Sequence, residues 1–223
     1  MDATHRPRIK VCCIASLDEA WTAIRHGASA LGLVSAMPSG PGVIPESAIA
    51  AIAAAVPPPV ATFLLTSLQD AGAIVDQQRR LRTSTVQICD RLPAGAHRAI
   101  RDALPGIGLV QVVHVTGPES VDEACEVAEH VDALLLDSGN QALAVKELGG
   151  TGRRHDWGLS RRIREAVPVP IFLAGGLRAD NAAEAIRDVG PFGLDLCTGV
   201  RTGGALDLAK LEAFVGATWS PPT

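Results

Sequence analysis

The 223-residue chain carries 20 lysines and arginines against 24 aspartates and glutamates, for a net charge of −4, and 47% of its residues are hydrophobic. That balance excludes a nucleic-acid binder working through a basic face, and aromatic residues at 3% with no tyrosine leave little to stack on bases. The length suits one α/β barrel or two smaller domains, and the partners expected of such a surface are small molecules.

The first strand is expected over residues 9–14, followed by Ser16 as a helix N-cap with Glu19 three residues on, a capping-box spacing. A helix over 17–26 stops at Gly27, and a second strand over 30–34 runs into a loop over 35–44 dense in proline and glycine. Pro45 then opens an alanine-rich helix that must end before the prolines at 57–59. The alternation continues with strands over 60–65, 85–89, 109–115, 131–136, 169–173 and 194–197. Helices are expected between them over 70–81, 94–103, 120–130, 159–166 and 181–187, with a last one over 207–215.

Eight strand–helix units with near-continuous apolar strands describe a parallel sheet buried on both faces, and their number favours a single (β/α)₈ barrel spanning 1–223 over an open doubly wound sheet. Two strands near the end break into glycine, at Gly175–Gly176 and at Thr198–Gly199. Successive glycine-rich loops on the last two strands of a barrel make a phosphate cradle, because backbone N–H groups can approach an anion there. Glycine also ends strands without any ligand, so the adjacency of the two loops is what carries this reading.

No run of about 18 apolar residues occurs, and the first ten residues lack the apolar stretch of a secretory leader. Five cysteines, at 12, 13, 89, 125 and 197, form no CxxC pair and no metal-ligand spacing, and an odd count fits a reducing compartment. A cytoplasmic location is expected, with no metal, no cofactor, no membrane partner and a monomeric or homodimeric state.

Lys10-Val-Cys12, Leu136-Asp-Ser138, Gly149-Gly-Thr-Gly152 with Asp156 and Trp157, Leu173-Ala-Gly-Gly-Leu177 with Asn181, and Asp195 ahead of Thr198-Gly-Val200 fall in order along nearly the whole chain. In these segments the chain resembles the phosphoribosylanthranilate isomerase family, and the glycine-rich segment ending in Asp156-Trp157 is the most specific of them. The resemblance implies a cofactor-independent Amadori rearrangement, in which an N-linked phosphoribosyl aminoaldose becomes the aminoketose in tryptophan biosynthesis. It implies Cys12 as the base that removes the C2 proton and Asp137 as the acid that protonates the furanose oxygen. It also implies phosphate binding by Gly175, Gly176, Thr198 and Gly199, with Gly150 and Asp195 in supporting roles. Cysteine is mostly protonated and aspartate mostly ionised at neutral pH, so both roles require a tuned environment.

The departures from the family concern the other end of the substrate. The family's loop after strand 2 carries a basic sequence whose arginine grips the anthranilate carboxylate, whereas this chain has no lysine or arginine between Ser35 and Ser47. Arg91, Arg153, Arg154 and Arg178 are candidate substitutes. The family's glycine after the catalytic cysteine is Cys13 here, expected from strand alternation to face the helix layer. Cys89 and Asp90, at the end of strand 4, are expected at the mouth, where Asp90 would repel a carboxylate. Cys13, Cys89 and Cys197 read most simply as core or loop thiols, and His114 as a structural histidine. The alternatives are an isomerase for a phosphorylated aminoaldose lacking an aromatic carboxylate, and a non-catalytic barrel that binds a phosphorylated metabolite.

Overall fold

A computed structural model describes residues 6–219, so the outermost residues of the expected 1–223 barrel, 1–5 and 220–223, lie outside the described residues. In chain order the elements are β1 (Arg8–Val11), α1 (Leu17–Arg25), β2 (Ala30–Val34), α2 (Glu46–Ala55), β3 (Ala61–Thr66), α3 (Ala71–Leu81), β4 (Thr85–Ile88) and α4 (Ala96–Ala103). They continue with β5 (Gly108–His114), α5 (Glu119–Ala128), β6 (Ala133–Asp137), α6 (Trp157–Ala166), β7 (Ile171–Leu173), α7 (Ala182–Val189) and β8 (Gly193–Leu196). After a 3₁₀ turn (Thr198–Val200), a short ribbon of β9 (Arg201–Thr202) and β10 (Ala205–Leu206) leads into α8 (Leu208–Trp219).

Strands β1 to β8 are all parallel and close into a barrel, with β1 paired to both β2 and β8. Each strand is buried on both faces, which explains the continuous apolar runs: one set of side chains packs under the helices and the other fills the barrel. Inside, Phe63, Phe172 and Phe192 stack edge to face at 5.8 and 5.6 Å and plug the barrel, so the open end lies at the C-terminal ends of the strands. No helix among the described residues is long and apolar enough to cross a membrane.

The capping box reads out as expected. Ser16 Oγ accepts from Glu19 N at 3.2 Å, while Glu19 reaches back to accept from Ala15 N at 2.9 Å. Asp156 caps α6 by accepting from Gly158 N at 2.8 Å, which starts that helix two residues earlier than its apolar pattern does.

The first strand is shorter than expected. Cys12 N still bonds Leu196 O at 2.7 Å and Ile14 N bonds Gly32 O at 3.1 Å, but Cys13 between them has φ 62°. In that left-handed conformation strand alternation no longer applies, and the Cys13 side chain turns into the barrel mouth instead of the helix layer. Gly42 in the loop after β2 makes room for it, since a Cβ there would lie 2.4 Å from the Cys13 Cβ.

Candidate active site

The cavity at the barrel mouth is lined by Cys12, Asp137, Gly150, Gly175, Gly176, Asp195, Thr198 and Gly199, which brings together the residues expected to act as base and acid, to bind phosphate and to support the site. Cys12 sits at the end of β1, 5% exposed. Two residues below it on the same face, Lys10 is completely buried, with Nζ 2.8 Å from Asp195 Oδ1 and 5.2 Å from the centre of the Phe63 ring. Burial alone would lower the Lys10 pKa, but the charges of Asp195 and Cys12 more than offset this and hold it above the ordinary lysine value. Cys12 shifts the other way, below the ordinary thiol value. The main cause is the S–H of Cys13, 3.9 Å away, aided by Lys10 and opposed by burial. A thiolate at Cys12 therefore has both a donor and a cation to hold it.

Asp137 ends β6 and is 8% exposed, accepting from Ser138 N at 2.7 Å. In the barrel order β7 and β8 separate β6 from β1, so the carboxyl group faces Cys12 across the mouth. An acid and a base on opposite sides of one cavity can act on two different atoms of a ligand held between them. His155, on the segment leading into α6, lies beside Asp137. Its Nε2 is 2.6 Å from Ser160 Oγ, its Nδ1 has no partner among the described residues, and burial lowers its pKa to about 4.

The two glycine-rich loops pack directly on each other. A Cβ on Gly199 would lie 1.9 Å from the Leu177 carbonyl oxygen, so this approach admits only glycine. Asn181 braces the first loop, accepting from Arg178 N at 2.8 Å and donating to Gly176 O at 2.9 Å. The second loop enters the 3₁₀ turn Thr198–Val200, whose leading N–H groups have no partner within the turn. Glycine-rich loops packed together on two adjacent strand ends are the setting in which backbone N–H groups can approach a phosphate.

Residues 9–217 match the sequence model of the N-(5'-phosphoribosyl)anthranilate (PRA) isomerase family. The chain belongs to this family. It is 32% identical over 193 residues to the N-(5'-phosphoribosyl)anthranilate isomerase of Methanocella arvoryzae, covering 86% of this chain and 88% of that one. It is 34% identical over 212 residues to the Haloferax volcanii enzyme of the same name, covering 94% and 92%. Among solved structures, phosphoribosyl anthranilate isomerase from Thermotoga maritima superposes with a TM-score of 0.81 at 26% identity, covering 95% of this chain and 98% of that one. Another phosphoribosyl anthranilate isomerase, solved with reduced 1-(o-carboxyphenylamino)-1-deoxyribulose 5-phosphate, shares the fold with a TM-score of 0.79 at 24% identity, covering 95% and 98%.

As a PRA isomerase family member, the chain would need a cation for the anthranilate carboxylate, and the four arginines proposed from the sequence can be placed. None of the four candidate arginines lines the main cavity, although Arg91 lines the open cleft beside it. Arg91 pairs with Glu123 at 2.9 Å, Arg178 with Asp180 at 3.3 Å and Arg153 with Glu147, while Arg154 pairs with Glu184 at 2.8 Å and stacks 3.4 Å above the Trp157 ring. The repulsion expected from Asp90 is answered by a lysine that the sequence reading did not pick out. Lys146, in the loop after β6, donates to the buried Asp90 carboxylate at 2.5 Å, and both face an open cleft beside the main cavity. Cys89 lines the main cavity, as expected at the end of strand 4, and Cys13 and Cys197 line it too; Cys13 and Cys89 are at the same time part of the buried core, with Cys197 packed against it. Burial pushes the Cys89 thiol up, whereas Cys13 is pushed up mainly by donating to Cys12. His114 fits its structural reading in part, since its Nε2 lies 3.0 Å from Cys89 O, although Nδ1 has no partner among the described residues.

The loops after β2 and β6 meet over the site. Ser39 Oγ donates to Lys146 O at 2.6 Å, and Gly150 packs on Pro41.

Proposed function

We propose that this cavity catalyses the Amadori rearrangement of N-(5-phosphoribosyl)anthranilate, with Cys12 as base and Asp137 as acid. Asp137 protonates the furanose oxygen, the ring opens to a Schiff base, and the Cys12 thiolate removes the C2 proton. The resulting enolamine then tautomerises to the aminoketose. The phosphate lies against Gly175, Gly176, Thr198 and Gly199; Gly150 belongs to the covering loop, and Asp195 keeps Lys10 charged beneath the base. The observation that carries this reading is the pairing of a thiol held below its ordinary pKa with a carboxyl group across one mouth, in a chain of this family.

The carboxylate end of the substrate calls for a cation; Lys146 and Arg91 both line the cleft beside the main cavity, and Lys146 is the one whose backbone the covering loop also holds. A second reading is an isomerase for a phosphorylated aminoaldose without an aromatic carboxylate. It is favoured by the lack of any arginine or lysine among the residues lining the main cavity. We assign the activity to the cytoplasm and the assembly to a monomer or homodimer; one Thermotoga maritima relative is described as dimeric.

The test is rescue of tryptophan auxotrophy in a strain lacking the isomerase. Growth supports the first reading. Absence of growth from well-expressed, folded protein supports the second, which a thermal-shift screen of sugar phosphates with and without a carboxylate then separates.

A further inference from the structure

Cys13 and Cys197 come from opposite ends of the chain, 184 residues apart, yet their sulfurs lie 2.8 Å from each other. That is less than an ångström longer than a disulfide bond of about 2.05 Å. The barrel sets up this approach. β1 and β8 are hydrogen-bonded neighbours, Val11 is the Cα partner of Leu196, and the next backbone bond runs from Cys12 N to Leu196 O, so Cys13 and Cys197 leave adjacent strand ends side by side. Arg201 fastens the two ends together, donating to the Cys13 carbonyl at 2.5 Å and to Glu19 at 2.8 Å. Both thiols line the active-site cavity, and Cys197 is only half-buried, so a small oxidant in the cavity meets it.

We propose that Cys13 and Cys197 are an oxidation site, closed to a disulfide by a peroxide and reopened by a dithiol, and that the closed form is the less active isomerase. In the first step the Cys197 sulfur gives an electron pair to one peroxide oxygen, the O–O bond breaks, and a sulfenic acid and one water result. The Cys13 sulfur then attacks the sulfenic sulfur, its proton leaves with the hydroxyl group as a second water, and the S–S bond forms. Two thiols and one hydrogen peroxide thus become one disulfide and two waters. Cys12 is the poorer partner for Cys13, since its sulfur lies 3.9 Å away and, as the adjacent residue, it would have to close a strained ring.

Closing the bond removes the S–H that Cys13 points at Cys12. It also ties the end of β1 to the turn at Thr198–Gly199, next to the phosphate loops. The activity consequence rests on the isomerase reading, whereas the bond itself does not.

The experiment treats the intact protein with hydrogen peroxide, blocks free thiols, digests without reduction and maps the peptides by mass. The expected result is a peptide pair joined through Cys13 and Cys197 and lighter by two hydrogens, with turnover lost in parallel and recovered by dithiothreitol. In Cys197→Ser the joined pair is absent and the recoverable part of the loss disappears. Both residues alkylated as free thiols while Cys12 alone is oxidised would overturn the proposal. A joined pair with unchanged turnover would overturn its regulatory half. If the protein proves not to be an isomerase, the mass map still decides whether the site exists.

Discussion

Lys10 Nζ and Asp195 Oδ1 lie 2.8 Å apart inside the barrel, on Cα partners of β1 and β8, each two residues below a cysteine of the active-site cavity. The pair is a buried charge relationship with a directional consequence. Asp195 keeps the lysine protonated, and the lysine in turn favours the Cys12 thiolate above it.

Replacing only the lysine, as in Lys10→Met, strands a buried carboxylate and is expected to cost about 3–5 kcal/mol in denaturant unfolding. The double variant Lys10→Met, Asp195→Leu should recover most of that stability, and it removes two opposed influences on Cys12, since Lys10 lowers its pKa and Asp195 raises it. Alkylation of Cys12 by iodoacetamide, followed against pH, should show a midpoint higher than in the parent in Lys10→Met, and one closer to the parent in the double variant, where the opposing charge of Asp195 is gone as well. An unchanged midpoint in Lys10→Met would show that Lys10 does not act on Cys12.

Cys13 holds a left-handed backbone that a non-glycine residue adopts at a cost of about 1–2 kcal/mol, and its thiol donates to Cys12. Cys13→Gly relieves the strain but loses a buried sulfur, so unfolding should change little. The acidic limb of kcat/KM should nevertheless move to higher pH, because the main influence lowering the Cys12 pKa is gone. A limb that stays in place would assign the lowering to Lys10 and the backbone N–H of residue 13 instead of the thiol.

His155 is depressed to about 4 in the folded protein, from 6.5 for the free side chain, with burial as the main cause. Between these values the unfolded chain binds a proton that the folded chain does not. Stability is therefore fully present above pH 6.5 and is lost as pH falls towards 4, by up to about 3 kcal/mol. His97, also lowered by burial, acts in the same direction. Thermal unfolding at pH 7 and pH 4.5 should show a smaller acid-induced loss in His155→Gln than in the parent, and an equal loss would contradict this assignment.

Much of the fold was legible because a parallel barrel buries both faces of every strand, so each strand announces itself as an apolar run such as Leu134-Leu-Leu136 ending at Asp137. The glycines of the last two loops were legible because close backbone approach leaves no substitute. Cys13 was misread because alternation assumes extended backbone, and nothing local in Val11-Cys-Cys-Ile14 reveals a positive φ. Its signal was the distant Gly42, and only the closed loop shows why that glycine is needed. Lys10 was recoverable from its period-2 relation to Cys12, whereas Lys146 lies in an irregular loop whose reach to Asp90 no spacing rule predicts.

If Lys146 meets the substrate carboxylate, Lys146→Ala should raise KM for the anthranilate-bearing substrate with little change in kcat, since the contact is remote from the reacting carbon. Adding Asp90→Asn to that variant removes the buried unpaired carboxylate and should restore stability but not KM. A KM that stays at the parent value would remove Lys146 from the substrate site.

The most direct test of the account is the loss of anthranilate-type fluorescence as N-(5-phosphoribosyl)anthranilate is converted, measured side by side for the parent protein, Cys12→Ser and Asp137→Asn. Turnover by the parent with each variant slowed by about 10²–10⁴-fold, while both keep the parent's circular dichroism, is the predicted result. Parent-level rates in both variants would contradict it.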